Sequence, residues 1–240
     1  MKEKPIRALQ SLPRCIPFAT SDLKSLGISP ALASHYAGTG WLERLGRGVF
    51  KFPHDKLSRD GCLKFLEQQI PGFHVGGKTA LAWRGIRHHL PSREALTLWG
   101  ENSVTLPLWF TNEFNALYTG RHIFSDRLPK KFGLQPLPEA PDGALVSVPE
   151  RALLEMLSEV GIRQGIEEAR DVMEGVRTVR PEVLQRLLKN CQRIKVARLC
   201  VHWADELNLD WAPVARRAVK TGSSRWTSKL KDGSTLVLKA

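Results

Sequence analysis

Residues 21–53, reading SDLKSLGISPALASHYAGTGWLERLGRGVFKFP, constrain the fold more than any other stretch of the chain. Thr20, just before Ser21-Asp22, is placed as an N-cap, its hydroxyl accepting from free amides of a first helical turn. Gly27 ends that helix, because a left-handed C-terminal cap has no steric cost at glycine. Ile28 fills the corner. Ser29-Pro30 open a second helix with an N-cap followed by proline at the first helical position. Two short helices across a tight turn predict a helix-turn-helix whose second helix carries the base-reading side chains.

Periodicity assigns the faces. Leu23, Leu26, Ile28, Leu32 and Tyr36 fall toward a small core. Ala31, Ser34, His35 and Gly38 form the opposite face, small and polar enough to enter a major groove. A methyl such as that of Ala31 suits thymine, and Ser34 or His35 can hydrogen-bond a base edge. After Trp41, the run LERLGRGVFKF reads as two short strands turning at Gly46 and Gly48. Arg44, Arg47 and Lys51 are the charges of this wing and are expected along the phosphates. The competing account is a three-helix unit that binds protein through an ordinary basic surface. The adjoining Gly-Arg-Gly turn favours the winged reading.

Charge placement agrees. The formal net charge is +12 over 240 residues. Residues 1–59 hold ten Lys/Arg against four Asp/Glu, residues 60–192 sixteen of each, and residues 193–240 ten against four. Two basic ends around a neutral middle imply two basic surfaces, at least one of them for nucleic acid. No run approaches the roughly 18 apolar residues of a membrane span. MKEKPIRALQSLPR lacks the apolar core of a secretory signal, which points to the cytoplasm. Cys15, Cys62, Cys191 and Cys200 form no CxxC pair and are expected as reduced, small core residues.

The rest of the chain predicts an α+β fold. Residues 2–12 form a short helix stopped by Pro13, and the polar turn after Pro53 marks a boundary between residues 1–56 and 57–240. Helices are expected from Leu57 to Ile70 and from Thr79 onward. Strands are expected at Ala95–Trp99, Val104–Phe110, Arg121–Phe124 and Ala144–Val148, around a Pro-rich crossing at 129–143. The Ser-x-x-Glu spacing of Ser147 and Glu150 has the form of a capping box before another helix. Helices near 162–175, 181–190 and 193–208 follow. A basic hairpin, Trp226–Leu230 and Thr235–Leu238, turns at Asp232-Gly233.

Gly72 to Thr79 satisfies G-x-x-x-x-G-K-[ST], in which Lys78 would reach phosphates and Thr79 would hold magnesium. Its context argues otherwise. An amphipathic helix broken by Pro71 precedes it, where a phosphate loop needs a buried parallel strand. A glycine turn between helices, or a strand-turn-helix with close packing, accounts for the residues. His88-His89 and His122 do not converge as metal ligands. Glu167, Glu168, Asp171 and Glu174 stand among Arg163, Arg170 and Arg177 at surface-pairing distances. No metal, cofactor or catalytic group is expected.

Three stretches carry a family resemblance: GISPALASHYAGTGWLERLGRGVFKFP, FHVGGKTALAWRGIRHHL and SVPERALLEML. In these the chain resembles the AbiEi antitoxins of type IV toxin–antitoxin systems, which share the winged-helix start, the Gly-Gly-Lys-Thr-Ala-Leu motif and the Pro-Glu-Arg-Ala helix start. The resemblance implies a winged N-terminal domain that represses its own operon by binding repeats in double-stranded promoter DNA. It also implies a C-terminal domain that neutralises an AbiEii-like nucleotidyltransferase toxin. The C-terminal basic residues Arg216, Arg217, Lys220, Arg225, Lys229 and Lys231 form a surface for that toxin or for further DNA contact. The alternatives are a ligand-sensing repressor and an enzyme acting on nucleic acid. Oligomeric state is left open.

Overall fold

A computed structural model of the chain describes residues 5–86, 95–219, 226–229 and 235–238. The chain opens with α1 (Pro5–Ala8) and a single 3-10 turn at Leu9–Ser11. β1 (Phe18–Ala19), α2 (Thr20–Ser25), α3 (Pro30–Gly38), β2 (Glu43–Gly46) and β3 (Val49–Lys51) follow. The wing is a three-stranded antiparallel sheet in the order β1-β3-β2, one strand more than the ribbon expected from sequence. Leu9, Phe18, Leu23, Ile28, Ala33, Tyr36, Leu42 and Phe50 close a small core beneath it.

A second, larger core gathers residues from Leu57 to Ala215. Its elements begin with α4 (Arg59–Gln69), β4 (His74–Val75), α5 (Gly77–Trp83), β5 (Leu96–Trp99), α6 (Leu108–Thr111), β6 (Ala116–Thr119), β7 (Leu134–Gln135) and β8 (Val146–Ser147). The strands form one mixed sheet in the order β6-β5-β4-β8-β7. β5 and β6 are parallel, as are β4 and β8, while the other neighbours are antiparallel. The helical run is α7 (Pro149–Glu159), α8 (Ile166–Glu174), α9 (Pro181–Lys189), α10 (Ile194–Glu206) and α11 (Ala212–Ala218). β9 (Trp226–Lys229) and β10 (Thr235–Leu238) pair as the expected C-terminal hairpin, whose Asp-Gly turn lies outside the described residues. The fold is thus mixed α+β, a winged helix-turn-helix followed by a larger mixed unit. No described helix is long and apolar enough to cross a membrane.

Several sequence expectations give way to competing forces. Val104–Phe110 is not a strand. Pro107 has no N–H to offer a ladder and instead precedes the first turn of α6. The third strand is β6 rather than Arg121–Phe124. Beyond Gly120 β5 offers no further pairing, because it ends at Trp99 and Gly100 already donates to the Thr119 carbonyl. Phe124 makes a single bridge to Cys191. The Ser147/Glu150 spacing does not act as a capping box: the Ser147 hydroxyl donates to Glu155, and Glu150 takes the Arg180 guanidinium at 2.9 Å. Cys62 and Cys200 are buried and Cys191 partly so, but Cys15 is exposed, with a left-handed φ of 62°. Its amide donates to the Asp55 carboxylate at 2.8 Å, so backbone geometry, not packing, occupies the position. Burial pushes the Cys62 thiol up to about 12.

The wing also touches the larger unit. Gly46 lies against the Trp109 indole of α6, and Leu45 and Val49 pack on the larger core. Arg14, ahead of β1, ion-pairs with Asp55 beyond β3.

Candidate nucleic-acid interface

The local chemistry that places α3 matches its sequence signals. Gly27 takes a φ of 77° after α2, which only glycine adopts cheaply. Ile28 is fully buried at the corner. The Leu32 amide donates to the Ser29 hydroxyl at 3.2 Å, so Ser29 is the working N-cap, with Pro30 at the first helical position. Thr20, expected to cap α2, does other work. Its amide and hydroxyl both donate to the Gly48 carbonyl, at 2.8 and 3.1 Å, bracing the wing turn. Asp22 instead accepts from the Ala19 amide at 2.7 Å and closes the start of α2.

α3 turns Ala33 and Tyr36 inward and leaves Ala31, Ser34, His35 and Gly38 exposed. Leu26 and Leu32, expected in the core, are half-buried at its margin. Beside the helix a groove of about 530 Å³ runs between α3 and the wing, lined by Ser34, Gly38, Glu43, Arg44 and His54 among others.

The wing cations differ in how freely they face solvent. Arg47 stands exposed on the turn between β2 and β3, just before Gly48, which has a φ of 71°. Arg44 is exposed but tethered: its Nη2 donates to the Ser34 hydroxyl at 2.9 Å, and its guanidinium carbon lies 5.1 Å from the centre of the Phe50 ring. Lys51 is mostly covered. Its Nζ sits 3.0 Å from the Glu43 carboxylate and donates to the Asp55 carbonyl at 2.9 Å. Nothing in the sequence signals the Ser34–Arg44 bond, since ten positions separate the two.

The glycine-rich motif is folded inward. It contains β4, then Gly77 at the start of α5 with a φ of 52°, so the strand-turn-helix account holds. The position an anion would take is filled by Glu155 from α7. One carboxylate oxygen accepts from the Gly77 amide at 3.1 Å and the Ser147 hydroxyl at 2.8 Å. The other meets the His74 imidazole and the Arg151 guanidinium, each at 2.9 Å. Burial alone would raise the Glu155 pKa, but His74 and Arg151 outweigh it and hold the group at about 2. Lys78 pairs with Glu168 at 2.9 Å. The Thr79 hydroxyl accepts from the Thr97 amide at 2.9 Å. The clue in the sequence was Glu155, an acid inside the apolar run ALLEML.

Next to this cluster lies a cavity of about 290 Å³ lined by His74, Trp99, Phe124, Arg121, Lys130 and Arg151 among others. Its cations already have acids: Arg121 with Glu159, Lys130 with Glu101, Arg151 with Glu155. Among the described residues no His, Cys, Asp and Glu converge as a metal site. His122 is exposed, and His88-His89 lie outside the described residues. On α8, Glu174 pairs with Arg177, Glu168 with Lys78 of α5, and Arg170 with Glu206 of α10.

Of the C-terminal basic residues, Arg216 pairs with Asp205 at 3.0 Å, and Arg217 donates to the Pro213 carbonyl. Lys229 lies on β9. Lys220, Arg225 and Lys231 lie outside the described residues.

Comparison with known proteins covers nearly the whole chain. Residues 1–92 match a family model described as a transcriptional regulator, AbiEi antitoxin N-terminal domain. Residues 93–236 match one described as a transcriptional regulator, AbiEi antitoxin, type IV TA system. Among solved structures, the RV2827C protein from Mycobacterium tuberculosis is similar at 16% identity with a TM-score of 0.58, over 93% of this chain and 87% of that one. That likeness concerns the fold. No curated protein matches.

Proposed function

The chain belongs to the AbiEi family of transcriptional-regulator antitoxins of type IV toxin–antitoxin systems, and on that premise we propose that it represses its own operon through α3 and the wing. The observation that carries this reading is the exposed face of α3, with Ala31, Ser34 and His35 outward and Arg47 at the wing turn beside it. A helix of this kind enters the major groove, and a cationic wing settles on the adjoining backbone. Arg47 is the phosphate contact in this account. Lys51, held by Glu43, contributes field more than contact.

The family is one of regulators and antitoxins rather than an enzyme class. We assign DNA binding to residues 1–56 and neutralisation of a nucleotidyltransferase-like toxin to residues 57–240, in keeping with the separate cores on either side of Pro53. The basic residues of α11 and the C-terminal hairpin are the toxin-facing or DNA-facing surface. Neither inward-facing glycines nor a charge-compensated cavity supports nucleotide chemistry.

The test uses the full chain. Mobility shift with duplex from upstream of its own reading frame should show saturable, sequence-selective binding, and the chain should silence a reporter driven by that segment. Where the neighbouring reading frame encodes a nucleotidyltransferase-like toxin, co-expression with this chain should restore growth. Equal affinity for scrambled duplex would defeat the repressor half. Continued toxicity despite expression would defeat the antitoxin half.

A further inference from the structure

We propose that Arg44 reads a guanine in the major groove, acting with Ser34 as one recognition unit, and does not lie along the phosphates with Arg47. The proposal rests on the reading of α3 as the groove helix. Within that reading it reassigns a wing residue from positioning to specificity.

The geometry argues as follows. Ser34 is on the exposed face of α3, and the Arg44 guanidinium is within hydrogen-bond distance of its hydroxyl. Whatever groove Ser34 enters, the guanidinium enters with it. A contact to the flanking backbone would require breaking that bond and leaving the Phe50 ring. Phe50 is itself buried in the small core, so the surface under the guanidinium belongs to the fold and not to a mobile side chain. β-sheet register sets the pairing, since Arg44 on β2 stands directly opposite Phe50 on β3. A cation–π contact and one hydrogen bond hold the planar group before DNA arrives, which lowers the ordering cost of a directional contact.

Donor arithmetic selects the base. A guanidinium has donors only, and one N–H of Nη2 is spent on Ser34. The remaining N–H groups need acceptors. In the major groove guanine shows two adjacent acceptors, N7 and O6, whereas adenine shows one acceptor beside a donor. Ser34 accepts from Arg44 and so keeps its own O–H to give, which adds one donor beside the fork. Arg47 has none of these ties among the described residues and sits on the turn, as a backbone contact should.

The experiment measures full-chain affinity on the duplex that wild type protects, with each base pair replaced in turn and at several salt concentrations. Wild type, Arg44→Lys, Arg44→Ala and Ser34→Ala are compared, and thermal melting checks that all are folded, as expected for exposed side chains. Lysine keeps the charge but loses the fork. Arg44→Lys should therefore lose about tenfold on the native duplex and almost nothing once one particular G·C pair is replaced, with the salt slope unchanged. Ser34→Ala should show a smaller loss at that same pair. If Arg44→Lys keeps the wild-type profile at every position, or Arg44→Ala weakens all duplexes alike with a shallower slope, Arg44 is a phosphate contact and the proposal is overturned. If wild type itself shows no base preference, the repressor reading falls first and this one with it. That outcome is visible before any variant is made.

Discussion

Two stretches of this chain join glycines to a cation, and they come to opposite ends. At Gly46-Arg47-Gly48 the two glycines are half-buried, but the guanidinium of Arg47 is exposed. At Gly76-Gly77-Lys78-Thr79 the turn faces the protein, and its amide, hydroxyl and ammonium are all engaged, by Glu155, the Thr97 amide and Glu168. Residue type and spacing promise an anion site at both. What decides is whether the protein supplies its own anion. Glu155 does so inside the motif that reads as a phosphate loop, and among the described residues no acid does so at the wing turn. Donors already satisfied by a buried carboxylate are structure, and donors left open are candidates for a ligand.

The largest effect that could break this comparison is at Glu155. Replacing it with alanine leaves His74, Arg151 and the Gly77 amide without their shared acceptor, in a fully buried place. Removing one partner of such a pair costs about 3–5 kcal/mol, so denaturant unfolding of Glu155→Ala should shift by that order. A shift under about 1 kcal/mol, the scale of an exposed pair, would mean that the motif does not depend on its internal anion.

Acid gives the second test. Glu155 and Asp55 are both held at about 2, Asp55 by the hydrogen bonds of Arg14 and of the Cys15 amide against the cost of its burial. Unfolded carboxylates titrate near about 4. The unfolded chain therefore binds these protons first as pH falls. The stability from both acids is complete above about pH 4 and is lost as pH drops toward 2. Thermal melts across that window should steepen downward, and Glu155→Gln should show a flatter acid limb from a lower starting point. An unchanged limb would remove Glu155 from the account.

At the open stretch the effect is on binding rather than folding. Arg47→Ala should leave the melting temperature unchanged, weaken all duplexes alike and reduce the salt slope by about 0.9, the release of counterions from one phosphate. A change in base preference with the slope intact would place Arg47 among the readers.

How far the sequence showed these things follows from the range of the forces involved. The turn of the helix-turn-helix was legible because its signals are local: Gly27 at positive φ, Ser29 as cap, Pro30 after it. The long helices from Pro181 to Glu206 were legible because their apolar period repeats over several turns. Short strands were less so. β8 falls inside the strand expected at Ala144–Val148, but β4 and β7 have two residues each, too few for a period, and exist because neighbours across the sheet complete them. Thr20 and Ser147 both look like caps, and both hydroxyls were taken by acceptors outside the first turn they would cap, Gly48 and Glu155. The site shows the same division. The exposure of Ala31, Ser34 and His35 followed from helical phase, while the tether of Arg44 and the capture of Lys51 by Glu43 arise only when β2 and β3 pair.

The smallest expected effect is at Lys78, and it sharpens the contrast because a true phosphate loop would make it the largest. Its ammonium pairs with Glu168 at 2.9 Å, and the two side chains are about one quarter and one half exposed. Pairs in such a position contribute about 0–1 kcal/mol, screened further by salt. Lys78→Ala should therefore shift unfolding by less than about 1 kcal/mol, with the difference shrinking in high salt. DNA affinity should stay at the wild-type value, since residue 78 is on α5 of the larger unit and not on the wing. Calorimetry of the wild type with ATP or GTP and magnesium should give no heat, because Glu155 already occupies the amide of Gly77. Saturable nucleotide binding that disappears in Lys78→Ala would show that the carboxylate can be displaced, and the two glycine turns would then be alike.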